Sequence, residues 1–157
     1  MILSTNQAGI NLIKEEEGLR LEAYQDQGGV WTIGWGHTGP DVHKGCVITK
    51  QQAEELFQGD LAHAEQSVNQ LVSVPLNANQ FASLVSFVFN FGEARFKASH
   101  LLAGLNIGSY ASVPAELKRW IYCQDSKTKK LVPNKGLEAR RQKEISLWMT
   151  SSPESSS

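Results

Sequence analysis

Two carboxylates and a hydroxyl, at Glu17, Asp26 and Thr32, are the residues best suited to chemistry. Glu17 follows Ile10 and Ile13 at spacings that place all three on one face of an α-helix. A carboxyl group on an apolar face is expected to be partly buried, and burial favours the protonated form. A protonated carboxyl is what a general acid requires. The alternative is a glutamate at a helix end that only pairs with an arginine.

Asp26 and Thr32 are equidistant from Gly29, in a stretch rich in aromatic and β-branched residues. A hairpin centred on Gly29 would place the two side chains opposite each other on one face of a small sheet. One acid could then protonate a leaving oxygen while the other carboxylate and the hydroxyl hold a water molecule, as in glycoside hydrolysis. Asp26 as a turn former and Thr32 as an ordinary strand residue are the alternatives.

Capping residues, glycine stops and apolar spacing predict the elements that position these groups. Ser4, Thr5 or Asn6 is expected to cap the first helix, and Gly18 to end it. A small β lobe is expected over about 19–45, beside a helical body over about 49–150. We therefore predict an α+β, mostly helical fold in a single domain, 1–150, followed by a disordered tail, 151–157. Later helices are predicted over 49–71, 81–91, 99–105, 109–121 and 137–149, with a loop or small hairpin over 122–136.

Composition limits the class of protein. The chain has 157 residues, of which 41% are hydrophobic and 20% are charged, as in a soluble globular domain. No stretch approaches the ~18 consecutive apolar residues of a membrane span. The formal net charge of −1 disfavours a dedicated nucleic-acid binder. Residues 71–157 nevertheless contain 11 Lys/Arg and 6 Asp/Glu, so this half of the chain could bind an anionic polymer.

A zinc site is a second chemical possibility, because His37, His43 and Cys46 lie close together with Asp41 among them. Their spacing matches none of the standard zinc patterns, so we expect neither a metal nor another cofactor. Cys46 and Cys123 are expected to be free thiols.

Trp31 and Trp35 could stack on sugar rings. Packing between the sheet and the helices is the favoured interpretation for both.

The spacing from Glu17 to Asp26 and on to Thr32, followed by Gly34, Gly36 and His37, resembles the active-site stretch of phage-type lysozymes. These are the endolysins of glycoside hydrolase family 24. The resemblance continues to about residue 150, so it covers nearly the whole chain. Its further stretches lie at 75–92, 101–108 and 136–144.

The resemblance implies a lysozyme-like fold with a cleft between the two lobes. It also implies a muramidase that hydrolyses the β-1,4 bond between N-acetylmuramic acid and N-acetylglucosamine in bacterial peptidoglycan. By the same resemblance Glu17 is the general acid, Asp26 the second carboxylate and Thr32 the residue that helps to place the attacking water. The role of Asp26 as base, stabiliser or nucleophile stays open. Either Arg140 or Arg141 is expected to approach Glu17.

Three alternatives use related substrates: a lytic transglycosylase that forms a 1,6-anhydro end, a peptidoglycan-binding module without catalysis, and a zinc amidase. The first six residues carry no basic segment followed by an apolar run, so no export signal is expected. The resemblance then implies a monomer that accumulates in the cytoplasm of an infected host cell. Release through a phage holin would bring it to the glycan strands of the cell wall, where it would cause lysis.

Overall fold

Thirteen elements follow one another in residues 2–150, the part of the chain that the computed structural model describes. The fold is α+β and mostly helical, as the sequence predicts. The helices are α1 Gln7–Glu17, α2 Lys50–Leu71, α3 Ala78–Phe91, α4 Glu93–Lys97, α5 His100–Asn106, a 3₁₀ turn Tyr110–Ser112, α6 Val113–Leu117 and α7 Lys135–Met149. The strands are β1 Arg20–Gln25, β2 Trp31–Gly34, β3 His37–Thr38, β4 Tyr122–Gln124 and β5 Leu131–Pro133.

The beginnings of the three long N-terminal helices are set by side-chain caps. Asn6 is the residue that caps α1, where its side chain accepts a hydrogen bond from the Gly9 amide. Thr49 and Asn77 each form a reciprocal capping box, at the starts of α2 and α3. Gly18 ends α1 with a φ of 69°, a conformation that glycine adopts without strain. These caps confirm the predicted positions of the helices that flank the β lobe.

The β lobe is a three-stranded antiparallel sheet in the order β1-β2-β3. Its register corrects the prediction that Asp26 and Thr32 lie opposite each other, because Thr32 pairs with Tyr24. The turn is centred one residue earlier than expected, since the Asp26 amide donates to the Val30 carbonyl. The Asp26 carboxylate causes this shift, because it accepts hydrogen bonds from the Gly28 and Val30 amides and closes the turn around itself.

Helix α3 forms the centre of the helical body and packs against α1, α2 and α7. Its apolar residues are almost all buried, and they meet the apolar face of α2. Trp35 joins this core from the end of β2, 9% exposed and edge-on to Phe57 at 5.7 Å between ring centroids. For Trp35, packing rather than sugar stacking is therefore the correct interpretation. The residues of α3 with the least exposure include Phe81, Ala82, Leu84, Val85 and Phe87.

The structure departs from the predicted helices in the C-terminal third. Instead of one helix over 109–121 there are a 3₁₀ turn and α6, and α6 begins at Val113 with Pro114 in its first turn, where proline is suited because it lacks an amide donor. Residues 93–97 form a short helix that the sequence did not predict. The 122–136 segment forms the hairpin β4-β5, and α7 begins two residues early because Asn134 caps it. The predicted tail, 151–157, lies outside the described residues.

Among residues 2–150, no helix combines the length and the apolarity that crossing a bilayer requires.

Candidate active site

Glu17 lies at the C-terminal end of α1, where Gly18 turns the chain toward the β lobe. Its side chain is 18% exposed, in agreement with the expected partial burial. Arg140, from α7, donates a hydrogen bond from Nη1 to Glu17 Oε2 at 2.5 Å. This contact decides between the two arginines considered from the sequence, because Arg141 turns to the other side and pairs with Glu144.

Gly36 is the second close neighbour of the Glu17 carboxylate. A Cβ atom built on Gly36 would lie 2.2 Å from Glu17 Oε1 and 2.9 Å from Cδ, far inside contact distance. Gly36 also has a φ of 75°, which side-chain-bearing residues rarely adopt. The carboxylate is therefore held between an arginine and a backbone surface that only glycine provides.

Arg140 is positioned by buried partners on α3 and α7. Its Nη2 donates to the Ser86 carbonyl at 3.1 Å, and its Nε lies 3.4 Å from Ser86 Oγ. Glu144, whose side chain is fully buried, lies one helical turn along α7, with Oε2 3.6 Å from Arg140 Nε. The Ser86 hydroxyl donates to the same Glu144 oxygen at 2.6 Å. Buried partners thus hold the Arg140 guanidinium in a fixed position against Glu17.

Arg141 completes this buried group. Its Nε and Nη2 donate to the two oxygens of Glu144 at 2.6 and 2.9 Å, and Nη2 also donates to Asn90 Oδ1 at 2.9 Å. Burial lowers the pKa of the Arg141 guanidinium, and the Glu144 carboxylate opposes that effect. Ser86, Asn90 and Glu144 were not predicted from the sequence as members of the site. A glutamate three and four residues after two arginines on a helix was the available signal for Glu144.

Asp26 and Thr32 lie on the β lobe and are held differently. Asp26 is exposed, and its Oδ1 accepts the two amide hydrogen bonds that close the turn. Thr32 is 4% exposed, and its hydroxyl donates to the Val30 carbonyl at 2.9 Å. That donation leaves the hydroxyl lone pairs free to accept a hydrogen bond.

Tyr24, opposite Thr32 on β1, lies within electrostatic reach of both carboxylates. Burial is the main cause that raises the pKa of the Tyr24 hydroxyl, and the charges of Glu17 and Asp26 raise it further. Arg20 has the opposing effect and lies over the Tyr24 ring at 4.4 Å. The charges of the two carboxylates therefore act on the same phenol, although Glu17 and Asp26 come from different lobes.

One cavity is lined by Glu17 itself, and a second is lined by Gly36, which contacts the Glu17 carboxylate. The second, of about 410 Å³, is lined by Gly36 and Phe89 together with the polar side chains of Asp60, His63 and Glu93. The first, of about 280 Å³, is lined by Glu17 with Asn90, Asn134 and Arg140. Phe89 and Asn90, which are consecutive at the end of α3, line one cavity each.

The residues considered for zinc are engaged in other contacts. His37 bridges two aspartates, with Nδ1 2.8 Å from Asp60 Oδ2 and Nε2 3.1 Å from Asp41 Oδ2. Burial lowers the pKa of His37, but the hydrogen bonds and charges of the two aspartates outweigh it, so that the pKa is raised. His43 contacts the Lys44 carbonyl. Across residues 2–150, no three His, Cys, Asp or Glu side chains are grouped so that they could hold a metal ion.

Cys46 and Cys123 are free thiols, as predicted.

Residues 14–144 match the sequence model of the phage lysozyme family. The chain is 42% identical over 146 residues to an endolysin of Acyrthosiphon pisum secondary endosymbiont phage 1, covering 91% of this chain and 96% of that protein. The muramidase domain of SpmX from Asticaccaulis excentricus superposes with a TM-score of 0.85 at 36% identity, over 94% of this chain and 99% of that domain. An endolysin from Escherichia coli O157:H7 phage FAHEc1 also superposes with a TM-score of 0.85, at 31% identity over 96% of both chains. The chain therefore belongs to the phage lysozyme family and is a glycoside hydrolase of the lysozyme type.

Proposed function

We propose that this protein is an endolysin muramidase that hydrolyses the β-1,4 bond between N-acetylmuramic acid and N-acetylglucosamine in peptidoglycan. One observation carries the proposal: the Glu17 carboxylate lines a cavity and is fixed there between Arg140 and Gly36. A general acid must be held within hydrogen-bond reach of the leaving oxygen, and this arrangement restricts Glu17 to one position.

In the proposed mechanism Glu17 donates its proton to the glycosidic oxygen as the bond to the anomeric carbon breaks. The leaving sugar departs with a free hydroxyl, and Glu17 becomes a carboxylate. Arg140 lies against that carboxylate and stabilises the charge that the proton leaves behind. Gly36, which lacks a side chain, allows the carboxyl group to lie against the backbone without being displaced.

Asp26 and Thr32 are proposed to serve the attacking water. Because the Thr32 hydroxyl donates to Val30, it can only accept a hydrogen bond from that water, which turns a water lone pair outward. The exposed Asp26 carboxylate has one oxygen committed to the turn and one free to accept the water proton or to stabilise positive charge on the sugar. Inversion of configuration requires carboxyl groups ~6.5–9.5 Å apart, with the water between them.

The presence of two cavities lined by Glu17 and by its neighbour Gly36 supports cleavage within a glycan strand. An enzyme that cuts internal bonds must hold sugars on both sides of the scissile bond, and here Glu17 lines one cavity while its neighbour Gly36 lines another. Cleavage of this kind weakens the wall quickly, because each cut separates two long strands. It suits the lysis of the host cell that the endolysin relatives are named for.

The remaining properties are proposed from the family alone. They are a single catalytic domain over 1–150, a monomeric state, accumulation in the host cytoplasm and release through a holin. The similarity to phage endolysins over nearly their whole length supports them.

The experiment that tests the proposed function is mass spectrometry of the fragments released from purified peptidoglycan in H₂¹⁸O. Hydrolysis predicts reducing N-acetylmuramic acid ends that carry one ¹⁸O per cut. Anhydro ends, lighter by one water, would show a lytic transglycosylase and would contradict the roles of Asp26 and Thr32. Free stem peptides would show an amidase, and the absence of fragments from folded protein would show a binding module.

A further inference from the structure

The Glu144 side chain is completely buried, yet it lies outside both cavities and has no direct contact with Glu17. We propose that Glu144 is a positioning residue that shares the charge of Arg140, so that Arg140 orients Glu17 without locking it in the ionised form. This inference rests on the proposed function, because it assumes that Glu17 is the general acid.

Four charged groups form an alternating chain through the protein. Glu17 is bonded to Arg140, Arg140 lies beside Glu144, and Glu144 is bonded to Arg141. The last three side chains are no more than 5% exposed, so water screens their interactions little. Each inner member therefore has its charge divided between two neighbours of opposite sign.

The requirements on the acid explain why such sharing matters. Glu17 must hold a proton before the bond breaks and must carry a charge afterwards, whereas a nearby cation favours the charged form throughout. Arg140 cannot remove this bias toward ionised Glu17 by losing its own proton, because a guanidinium stays protonated in proteins. A second carboxylate on Arg140 reduces its attraction for the Glu17 charge while keeping the guanidinium in place.

Ser86 adds geometric evidence for this role. Its hydroxyl donates to Glu144 Oε2 at 2.6 Å, and its Oγ and carbonyl face Arg140 at 3.4 and 3.1 Å. The Ser83 hydroxyl also donates to the Glu144 carbonyl at 2.7 Å. Helix α3 thus fixes the distance between Glu144 and Arg140, which is what a positioning role requires.

Other charged groups surround Glu17 at the surface. Glu16 and Glu15 share Lys143 of α7, at 3.3 and 2.9 Å. On the β lobe, Tyr24 lies within electrostatic reach of Glu17, with Arg20 over its ring. The Glu15–Lys143 pair is exposed and screened, so the buried chain is the main electrostatic influence that a substitution can alter selectively.

Two substitutions, one at each member of the Glu144–Arg141 ion pair, test the proposal. The measurement is the pH dependence of the initial rate of peptidoglycan hydrolysis. In Glu144→Gln the Arg140 charge is no longer shared with a second carboxylate, so it favours the ionised form of Glu17 more strongly. The alkaline limb of the pH–rate profile is therefore expected to move to lower pH, by about 0.5 to 1 pH unit. In Arg141→Gln the Glu144 carboxylate pairs with Arg140 only, so Arg140 favours the ionised form of Glu17 less strongly. The alkaline limb is therefore expected to move to higher pH. If Glu144 had a purely structural role, both variants would be slower, but their alkaline limbs would not move in opposite directions.

Glu138→Gln is the matched control, because it removes the same charge from an exposed position of the same helix and is expected to leave the alkaline limb in place. Circular dichroism and thermal unfolding establish that each variant is folded. If Glu144→Gln does not fold, Arg141→Gln still decides, because it retains the buried pair between Glu144 and Arg140. An unmoved limb in folded Arg141→Gln, or limbs that move in the same direction, would overturn the proposal.

Glu17→Gln separates this inference from the proposed function. If Glu17→Gln is inactive and the two limbs do not move, only the role of Glu144 is wrong. If folded Glu17→Gln is as active as the parent, the proposed function itself is wrong.

Discussion

The two lobes hold their candidate catalytic carboxylates in opposite ways. Glu17 is 18% exposed and is held by Arg140, 123 residues away in the sequence, through a buried group of charges. Asp26 is exposed and is held by the amides of Gly28 and Val30, two and four residues away. One position is therefore set by tertiary packing and the other by a local turn.

The difference matches the tasks proposed for the two groups. A proton donor needs one fixed position and a partly dry environment, which a packed helical core provides. A carboxylate that handles water needs access to solvent, which the turn provides. Substitutions on the two lobes should therefore differ in what they disturb: chemistry alone at the hairpin, and geometry or stability at the helical side.

Asp26→Asn is expected to cause the largest loss among substitutions on the β lobe, about 10²–10⁴-fold in rate, because the amide cannot take a proton from water. The amide oxygen can still accept from Gly28 and Val30, so the fold should be retained. Product release from peptidoglycan measures the rate. Asp125→Asn is the control, since Asp125 accepts from the amides of its own hairpin turn in the same manner. Equal rates for the two variants would contradict a catalytic role for Asp26.

Gly36→Ala is expected to reduce the rate by about 10²-fold, because the new methyl group must displace the Glu17 carboxyl group. Gly45→Ala provides the control for backbone strain, since Gly45 also has a positive φ, of 88°, but nothing within 4 Å of an added Cβ. Steady-state rates and thermal unfolding should be measured on both. A Gly36 variant as active as the Gly45 variant would show that contact with Glu17 is unimportant.

Thr32→Val is expected to reduce the rate by about tenfold, the equivalent of one lost hydrogen bond to the attacking water. Thr32→Ser keeps the hydroxyl and should retain most of the activity. Comparing the two rates isolates the hydroxyl from the methyl group. If serine and valine give the same rate, the hydroxyl does not place the water.

The smallest effect is expected at His37, which ties the β lobe to α2 through Asp60. Because the pKa of His37 is raised in the folded protein, its contribution to stability is fully present below the unfolded-state pKa of about 6.5. That contribution is lost as the pH rises through the folded-state pKa. The difference in melting temperature between the parent and His37→Asn should therefore shrink from pH 5.5 to 8.5.

Asp60→Asn supplies the background for a double-mutant comparison, in which the pH-dependent difference should be much reduced. A difference that grows with pH in the parent background would contradict the assigned sign.

The sequence predicted what depends on neighbouring residues. Asn6 was one of three predicted caps of the first helix, and residue 49 was the predicted start of the second, because a cap bonds to an amide two or three residues away. The first helix and the central helix α3 were predicted from local signals of this kind, and the small sheet from its aromatic and β-branched residues. Their order then brought the motif carrying Glu17 next to the β lobe.

What depends on side chains distant in sequence was not predictable. The choice of Arg140 over Arg141 depends on which guanidinium faces α1 after α7 packs on α3, and both arginines lie on the same helix. The hairpin register was wrong because Asp26 closes the turn with its own carboxylate, so that Thr32 pairs with Tyr24. The need for glycine at position 36 becomes visible only once Glu17 lies against it.

The most direct test of the central claim, that Glu17 is the proton donor, is the hydrolysis rate of Glu17→Gln on purified peptidoglycan, with folding checked by circular dichroism. The amide can still accept the hydrogen bond from Arg140 but has no acidic proton to give. We predict a folded protein whose rate of glycan cleavage is reduced by about 10²–10⁴-fold. A folded variant that cleaves within tenfold of the parent rate would contradict the claim.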